Sequence, residues 1–450
     1  MVLTSSDFGL GQVGIAMVLA FLTLTRVGAT FFSSDPTRSF DGLNILLIGQ
    51  FAWYLAEPIF DELSWYRYPI WRTEYMLLGF WAVAMTSWMT TLAYLYLPIG
   101  AWITRGGESL VTSLEHASLR MLVITSAISL LPIMVGAAFN PGQIVSDLTA
   151  ILARSETPDS LYRSHLGTAE SIIIVASTVT IVATMVAGVL LLKSKSRTTR
   201  YVALSIGLFF FAYRFALGRR SLMWLHLLPL LAPYVMLRGP RGQRFVRLLA
   251  IVLLPAMLFI NQFLLHRRTQ QQEVRTAASM AMKDEGYQGH NMFSPVVYLA
   301  NYVPEHIPYQ YGSSTFGILA AFPIPRAILP NKPVGLGIVF MKREFGATDV
   351  ASSSFGHIGE FISDFGVLFG SVVAGVVYGW LGRLSMIFAS RTRRAALVIY
   401  APFAGAIFFA MRGVGMFQTV IVALVFLMLG TFAMPILSRY RVSLAKVAPH

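Results

Sequence analysis

Apolar stretches of roughly twenty residues recur along this chain from one end to the other. A helix of about 20 such residues matches a hydrocarbon layer about 30 Å thick. Inside that layer only helices and closed barrels satisfy their own backbone polar groups. The runs here are continuous rather than alternating, which argues against a barrel. Charge is scarce to match: 12% of the 450 residues are Asp, Glu, Lys or Arg, against about 25% in an average globular domain. A soluble enzyme, a disordered chain and a fibrous protein are excluded together. The expected fold class is an all-α polytopic membrane protein, one integral membrane domain covering 1–450.

The candidate spans are 9–32, 41–59, 74–97, 119–139, 171–192, 200–217, 221–237, 246–265, 364–388, 396–412 and 415–437, about 11 transmembrane helices. The first is too long for a signal segment and lacks a basic leader, so it reads as an uncleaved helix. Cysteine is absent, which excludes disulfides, thiolate metal sites and cysteine nucleophiles. The formal net charge of +14 reads as cytoplasmic loops facing anionic lipid rather than as a nucleic-acid surface.

Basic connections set the orientation. Lys193, Lys195, Arg197 and Arg200 form one cluster, and Arg238, Arg241, Arg244 and Arg247 a second. Arg391, Arg393 and Arg394 form a third, and Arg439, Arg441 and Lys446 a fourth. Eleven spans put all four on one side, taken as cytoplasmic, with the N-terminus outside. The opposite side then carries 140–170 and a large periplasmic loop, 266–363. A loop of that length is usually functional. Within it, 311–330 is apolar but interrupted by Pro323, Pro325 and Pro330, the pattern of a re-entrant or interfacial segment. Segment 267–285 reads as a polar helix above the membrane. The aromatic run 65–71 reads as an interfacial belt.

Four groups of charges fall on the side that the positive-inside bias does not explain, and charge at membrane depth is costly. Arg214, Arg219 and Arg220 cluster in FAYRFALGRRSLMW. Snorkelling to headgroups and phosphate binding are both open there. Arg326 and Lys332 sit between prolines in FPIPRAILPNKP, a stiff turn that suits an anion clamp or a re-entrant corner. His357, Glu360 and Asp364 follow one another at helical spacing in SSSFGHIGEFISDFGVLFG. From a helix start near Gly356 they share a face, where a carboxylate could take a proton from a sugar hydroxyl or pair with Arg326 or Arg343. Arg412, in AMRGVGMF, lies between the last two spans. No nucleotide-binding, zinc-protease or nucleophile-elbow motif occurs, and no metal or cofactor is expected.

YGSSTFGILAAFPIPRAILPNKP and FGHIGEFISDFGVLFG, within 311–370, resemble the outer loop and following helix of bacterial O-antigen polymerases. These are the Wzy-type oligosaccharide repeat-unit polymerases. The resemblance rests on Pro325–Arg326, Lys332–Pro333, Gly359–Glu360 and Phe365–Gly366, with Gly218–Arg219–Arg220 matching a basic turn before a middle helix. Asp364 departs from it, since the family pattern has a neutral polar residue such as Asn there.

The resemblance implies a membrane-embedded GT-C-like polymerase or ligase fold. It implies polymerisation of undecaprenyl-pyrophosphate-linked oligosaccharide at the periplasmic face of the inner membrane. The growing glycan would pass to an incoming unit with lipid pyrophosphate as leaving group. Arg219, Arg220, Arg326 and Arg412 would contact the pyrophosphate, assisted by Lys332, with Arg214 and Asp364 also at the substrate. Glu360 would act as base, with His357 as the second candidate. A repeat-unit flippase and a chain-length regulator are the partners implied, besides membrane lipids. Three rivals stand: an O-antigen ligase delivering glycan to lipid A-core, a transporter or flippase, which would favour charge near the bilayer midplane, and a purely structural partner in an envelope complex, which would not need clustered outward arginines.

Overall fold

A computed structural model describes residues 41–55, 73–136, 170–216, 220–237, 292–321, 355–389 and 393–413, most of 18–30, and isolated positions elsewhere. Among the described residues every regular element is helical and no strand occurs. In chain order these are α1 (Gly42–Gln50), α2 (Thr73–Tyr96), α3 (Ala101–Glu115), α4 (Leu119–Gly136), α5 (Glu170–Lys193) and α6 (Arg197–Ala216). There follow α7 (Arg220–Leu237), α8 (Phe293–Tyr302), α9 (Gly356–Phe365), α10 (Val367–Ser385) and α11 (Arg394–Ala410). Two helical stretches, Met76–Tyr96 and Val367–Phe388, are long and apolar enough to cross a membrane. Ala101–Glu115 and Leu119–Leu131 make a third if the pair, bent by 104°, is one broken span. The chain is therefore a helical membrane protein. The expected spans 246–265 and 415–437, and much of 9–32, lie outside the described residues, as does 267–285.

Helices α2, α4, α5, α6, α7 and α11 stand at the positions expected for 74–97 to 221–237 and 396–412, to within a few residues, and of these α2 alone is, in its described residues, long and apolar enough by itself to cross a membrane. Three features differ from the expectation. A helix, α3, occupies what reads in sequence as a connection. It buries Gly107, Leu110, Val111 and Leu114 along one stripe, and from Thr104 to Glu115 its remaining positions are polar or glycine, so its overall hydropathy is low. The second departure is the expected span 364–388: the chain breaks at Gly366 (φ +82°), separating α9 from α10. The third is 41–59, where α1 loosens into a π-helical turn at Phe51–Leu55.

The core forms around α10. Helices α2 and α10 run parallel, and small residues on α10 let the backbones approach closely. Thr86 Oγ1 donates to the Ser371 carbonyl (3.1 Å). A Cβ on Gly375 would come within 2.6 Å of the Thr86 carbonyl, and one on Gly379 within 2.3 Å of the Thr90 carbonyl. Helix α1 runs the opposite way, with Gly42 against Gly382 and Gln50 Nε2 donating to Thr90 Oγ1 (3.2 Å). Helices α7 and α11 pack antiparallel, with Leu225 and Leu228 against Gly405.

One end of the bundle is basic. Arg393 reaches Glu115 through Nε (3.2 Å) and Nη2 (3.3 Å), and Nη2 also meets Thr112 Oγ1 (2.8 Å). The Lys193 ammonium donates to the Glu115 carbonyl, and Arg394 donates to the Leu192 carbonyl (2.7 Å). Arg383 covers the last carbonyls of α2, Tyr94 and Leu95, both at 2.8 Å. These guanidinium and ammonium groups satisfy helix C-termini. Two of the basic clusters that set the orientation, 193–200 and 391–394, thus meet at one end. Helix α11 carries the chain from there to Met411 at its far end.

Candidate functional site

Helix α9 is the element on which the site is built. It folds back along the first half of α10: a Cβ on Gly370 would lie 2.3 Å from the Phe361 carbonyl. The His357 ring comes to rest 4.1 Å from that of Tyr378, half-way along α10. Two π-helical turns hold α9, one near each end. Such turns are rare and recur at functional sites.

At its N-terminal end the holder is Phe51–Leu55, carrying Trp53 and Tyr54. Tyr54, fully buried, donates its hydroxyl to the Met411 carbonyl (2.7 Å) and lies 3.0 Å from His357 Nδ1. The His357 backbone N–H also donates to the Met411 carbonyl (3.0 Å). Gly356 (φ +68°) is required here, because a Cβ would fall 2.1 Å from the Tyr54 hydroxyl oxygen. Tyr378 donates to the Ala410 carbonyl (2.9 Å). Two tyrosines thereby satisfy the last carbonyls of α11. Arg412 follows directly and lies over the Trp53 ring, 5.8 Å from its centroid, a cation–π distance. Trp53 Nε1 donates to the Phe408 carbonyl (3.2 Å).

At the other end the holder is the turn Ser313–Gly317, which continues into the short helix Ile318–Ala321. Asp364, fully buried, accepts from the Ser314 N–H (3.1 Å) and from Thr315 Oγ1 (2.6 Å). Ser314 Oγ donates to the Glu360 carbonyl (3.2 Å). The Gln310 and Tyr311 N–H groups donate to the Ser363 and Asp364 carbonyls. This is the described part of the segment expected to be re-entrant, and it is a turn followed by one helical turn.

His357, Glu360, Asp364 and Arg412 are thus brought to one helix and its immediate neighbours. Glu360, half-buried, lies about one helical turn beyond His357 on α9. Asp364 holds a loop, a positioning role. An apolar cavity of about 330 Å³ adjoins the same place, lined in part by Phe316, Leu319, Phe361, Tyr378 and Trp380.

Arg214 belongs to a different cluster. It is buried near the C-terminal end of α6, with Nη2 donating to Thr180 Oγ1 (3.2 Å). Thr180 and Thr184 hydroxyls lie 3.3 Å from the two ring nitrogens of His226. A guanidinium held between helices does not snorkel to headgroups, so that reading fails for Arg214. Arg220 opens α7. Arg219, Arg326 and Lys332 lie outside the described residues. Among the described residues no three His, Asp or Glu side chains gather as a metal site would need.

The sequence reading did not single out Tyr54 or Tyr378. A signal existed: both lie inside apolar runs rather than at their ends, and a buried tyrosine hydroxyl needs an acceptor. Comparison with family models, with curated proteins and with solved structures finds no match to this chain.

Proposed function

We propose that the protein polymerises undecaprenyl-pyrophosphate-linked oligosaccharide repeat units at the extracytoplasmic face of a bacterial inner membrane, as a multi-pass glycosyltransferase. The observation that carries the reading is the convergence on α9. His357 donates its backbone N–H to the carbonyl of Met411, the residue before Arg412, at the end of α11 away from the basic end, and Glu360 follows about one turn later on α9.

The chemistry asks for three things, and these residues suit each. The departing lipid pyrophosphate gains negative charge, which a preorganised guanidinium stabilises. Arg412 takes that role, with Arg219, Arg220, Arg326, Lys332 and Arg214 as the further cations. The attacking sugar hydroxyl loses a proton, for which Glu360 is the base and His357 the second candidate. The donor carries a long apolar chain, and the apolar cavity beside Tyr378 offers it a surface.

A flippase to supply repeat units and a regulator of chain length are the partners proposed. Delivery to lipid A-core, the ligase reaction, uses the same leaving group. Cells lacking this chain separate the two. Lipopolysaccharide bearing a single repeat unit supports the polymerase. Bare core with accumulated lipid-linked polymer supports the ligase, and unaltered glycan refutes both.

Transport is a second reading with its own observation. His357 stands beside the middle of α10, and α9 and α10 are a helix broken at Gly366, a feature of transporter sites. Movement of intact lipid-linked glycan across vesicles, without elongation, is the result that favours it.

A further inference from the structure

We infer that Tyr54 is a positioning residue for His357: it holds the imidazole with Nδ1 as the proton donor and so leaves Nε2 as the basic nitrogen of the ring. The inference rests on the reading above for what the substrate is, but not for the geometry.

Three polar atoms form a closed triangle. Tyr54 Oη is 2.7 Å from the Met411 carbonyl oxygen, and His357 Nδ1 is 3.0 Å from Tyr54 Oη and 3.3 Å from that carbonyl. A carbonyl oxygen only accepts, and a phenol has one proton to give. With the tyrosine proton directed at Met411, a bare Nδ1 would face two oxygen lone pairs. With that proton directed at Nδ1 instead, the carbonyl would face the phenol's lone pairs at 2.7 Å. A proton on Nδ1 removes both conflicts. Nδ1–H then donates to Tyr54 Oη, leaning toward the carbonyl, while Tyr54 donates to Met411.

Desolvation favours the neutral ring for a fully buried imidazole, and a neutral ring carries one proton. Nε2 is therefore a bare lone pair. It is buried and has no hydrogen-bond partner among the described residues. An unanswered buried acceptor is costly in a folded protein, and a substrate hydroxyl is a donor that would answer it. The tautomer of a histidine is set by the bond its other nitrogen makes. Here that bond is made by a residue about three hundred positions away in the chain. Gly356 keeps the arrangement possible, since any side chain there would displace the Tyr54 hydroxyl.

The test uses the full chain in lipid nanodiscs with [15N,13C]histidine, the His357 signals being identified by their loss in His357→Gln. The wild type is expected to show a protonated Nδ1 and an unprotonated Nε2 at His357. Tyr54→Phe is expected to shift the Nδ1 resonance, because its nearer acceptor is gone. It is also expected to lower kcat for glycan elongation by about 10–100-fold with KM unchanged. An unprotonated Nδ1 in the wild type overturns the inference, even if Tyr54→Phe does not fold. So does a Tyr54→Phe protein whose Nδ1 resonance or kcat is unaltered. If the wild type elongates nothing, the functional reading falls and the wild-type spectrum alone decides the tautomer.

Discussion

Arg412 and Asp364 show how two charged residues near one helix come to different tasks. Asp364 spends both carboxylate oxygens on Ser314 and Thr315, so its acceptors serve the fold. Asp364→Ala leaves a buried N–H and a hydroxyl without their acceptor, and is expected to cost about 1–3 kcal/mol, read as a lower thermal unfolding midpoint. Asp364→Asn keeps one carbonyl acceptor and is expected to lose less. Arg412, held over Trp53, is the described cation that the proposed reaction assigns to the pyrophosphate. Arg412→Ala is expected to lower kcat by two to three orders of magnitude, about 3–4 kcal/mol of transition-state stabilisation, with Arg412→Lys intermediate because it loses the bidentate fork. Retention of full turnover in Arg412→Ala would remove it from the site. The spacing of His357, Glu360 and Asp364 was legible in sequence because it is local. The roles were not, since Asp364 is answered by residues about fifty positions away and His357 by Tyr54, about three hundred away.

At the scale of elements, helix positions were legible wherever apolar length alone decides them, as for α2, α5 and α11. Breaks were harder to see. Gly366 falls inside the expected span 364–388, and its positive φ becomes necessary only because α9 folds back on α10. Helix α3 was missed for the reverse reason: it lies across the end of the bundle, so its single buried stripe is too narrow for a span. The contact between α2 and α10 carries its own prediction. Gly379→Leu places side-chain atoms where the Thr90 carbonyl now lies. It is expected to destabilise the protein by about 1–3 kcal/mol, detected as a lower unfolding midpoint in detergent.

For the whole molecule the organising feature is polarity along the bundle: arginines and lysines close helix ends on one side, and the π-turns gather around α9 on the other. The absence of native cysteine makes this directly measurable. Ser196→Cys lies in the exposed basic connection between α5 and α6, and Ser313→Cys is exposed in the turn beside α9. A membrane-impermeant maleimide applied to intact spheroplasts is expected to label Ser313→Cys and to reach Ser196→Cys only after lysis. The same pattern at both positions would contradict the orientation. The central claim is chemical, and the most direct measurement is reconstitution: purified protein, a synthetic undecaprenyl-pyrophosphate repeat unit, EDTA, and a gel that resolves chain lengths. A ladder in the wild type that collapses in Arg412→Ala is the result expected. A folded wild type that leaves verified substrate as a single repeat unit, with or without EDTA, would contradict the account.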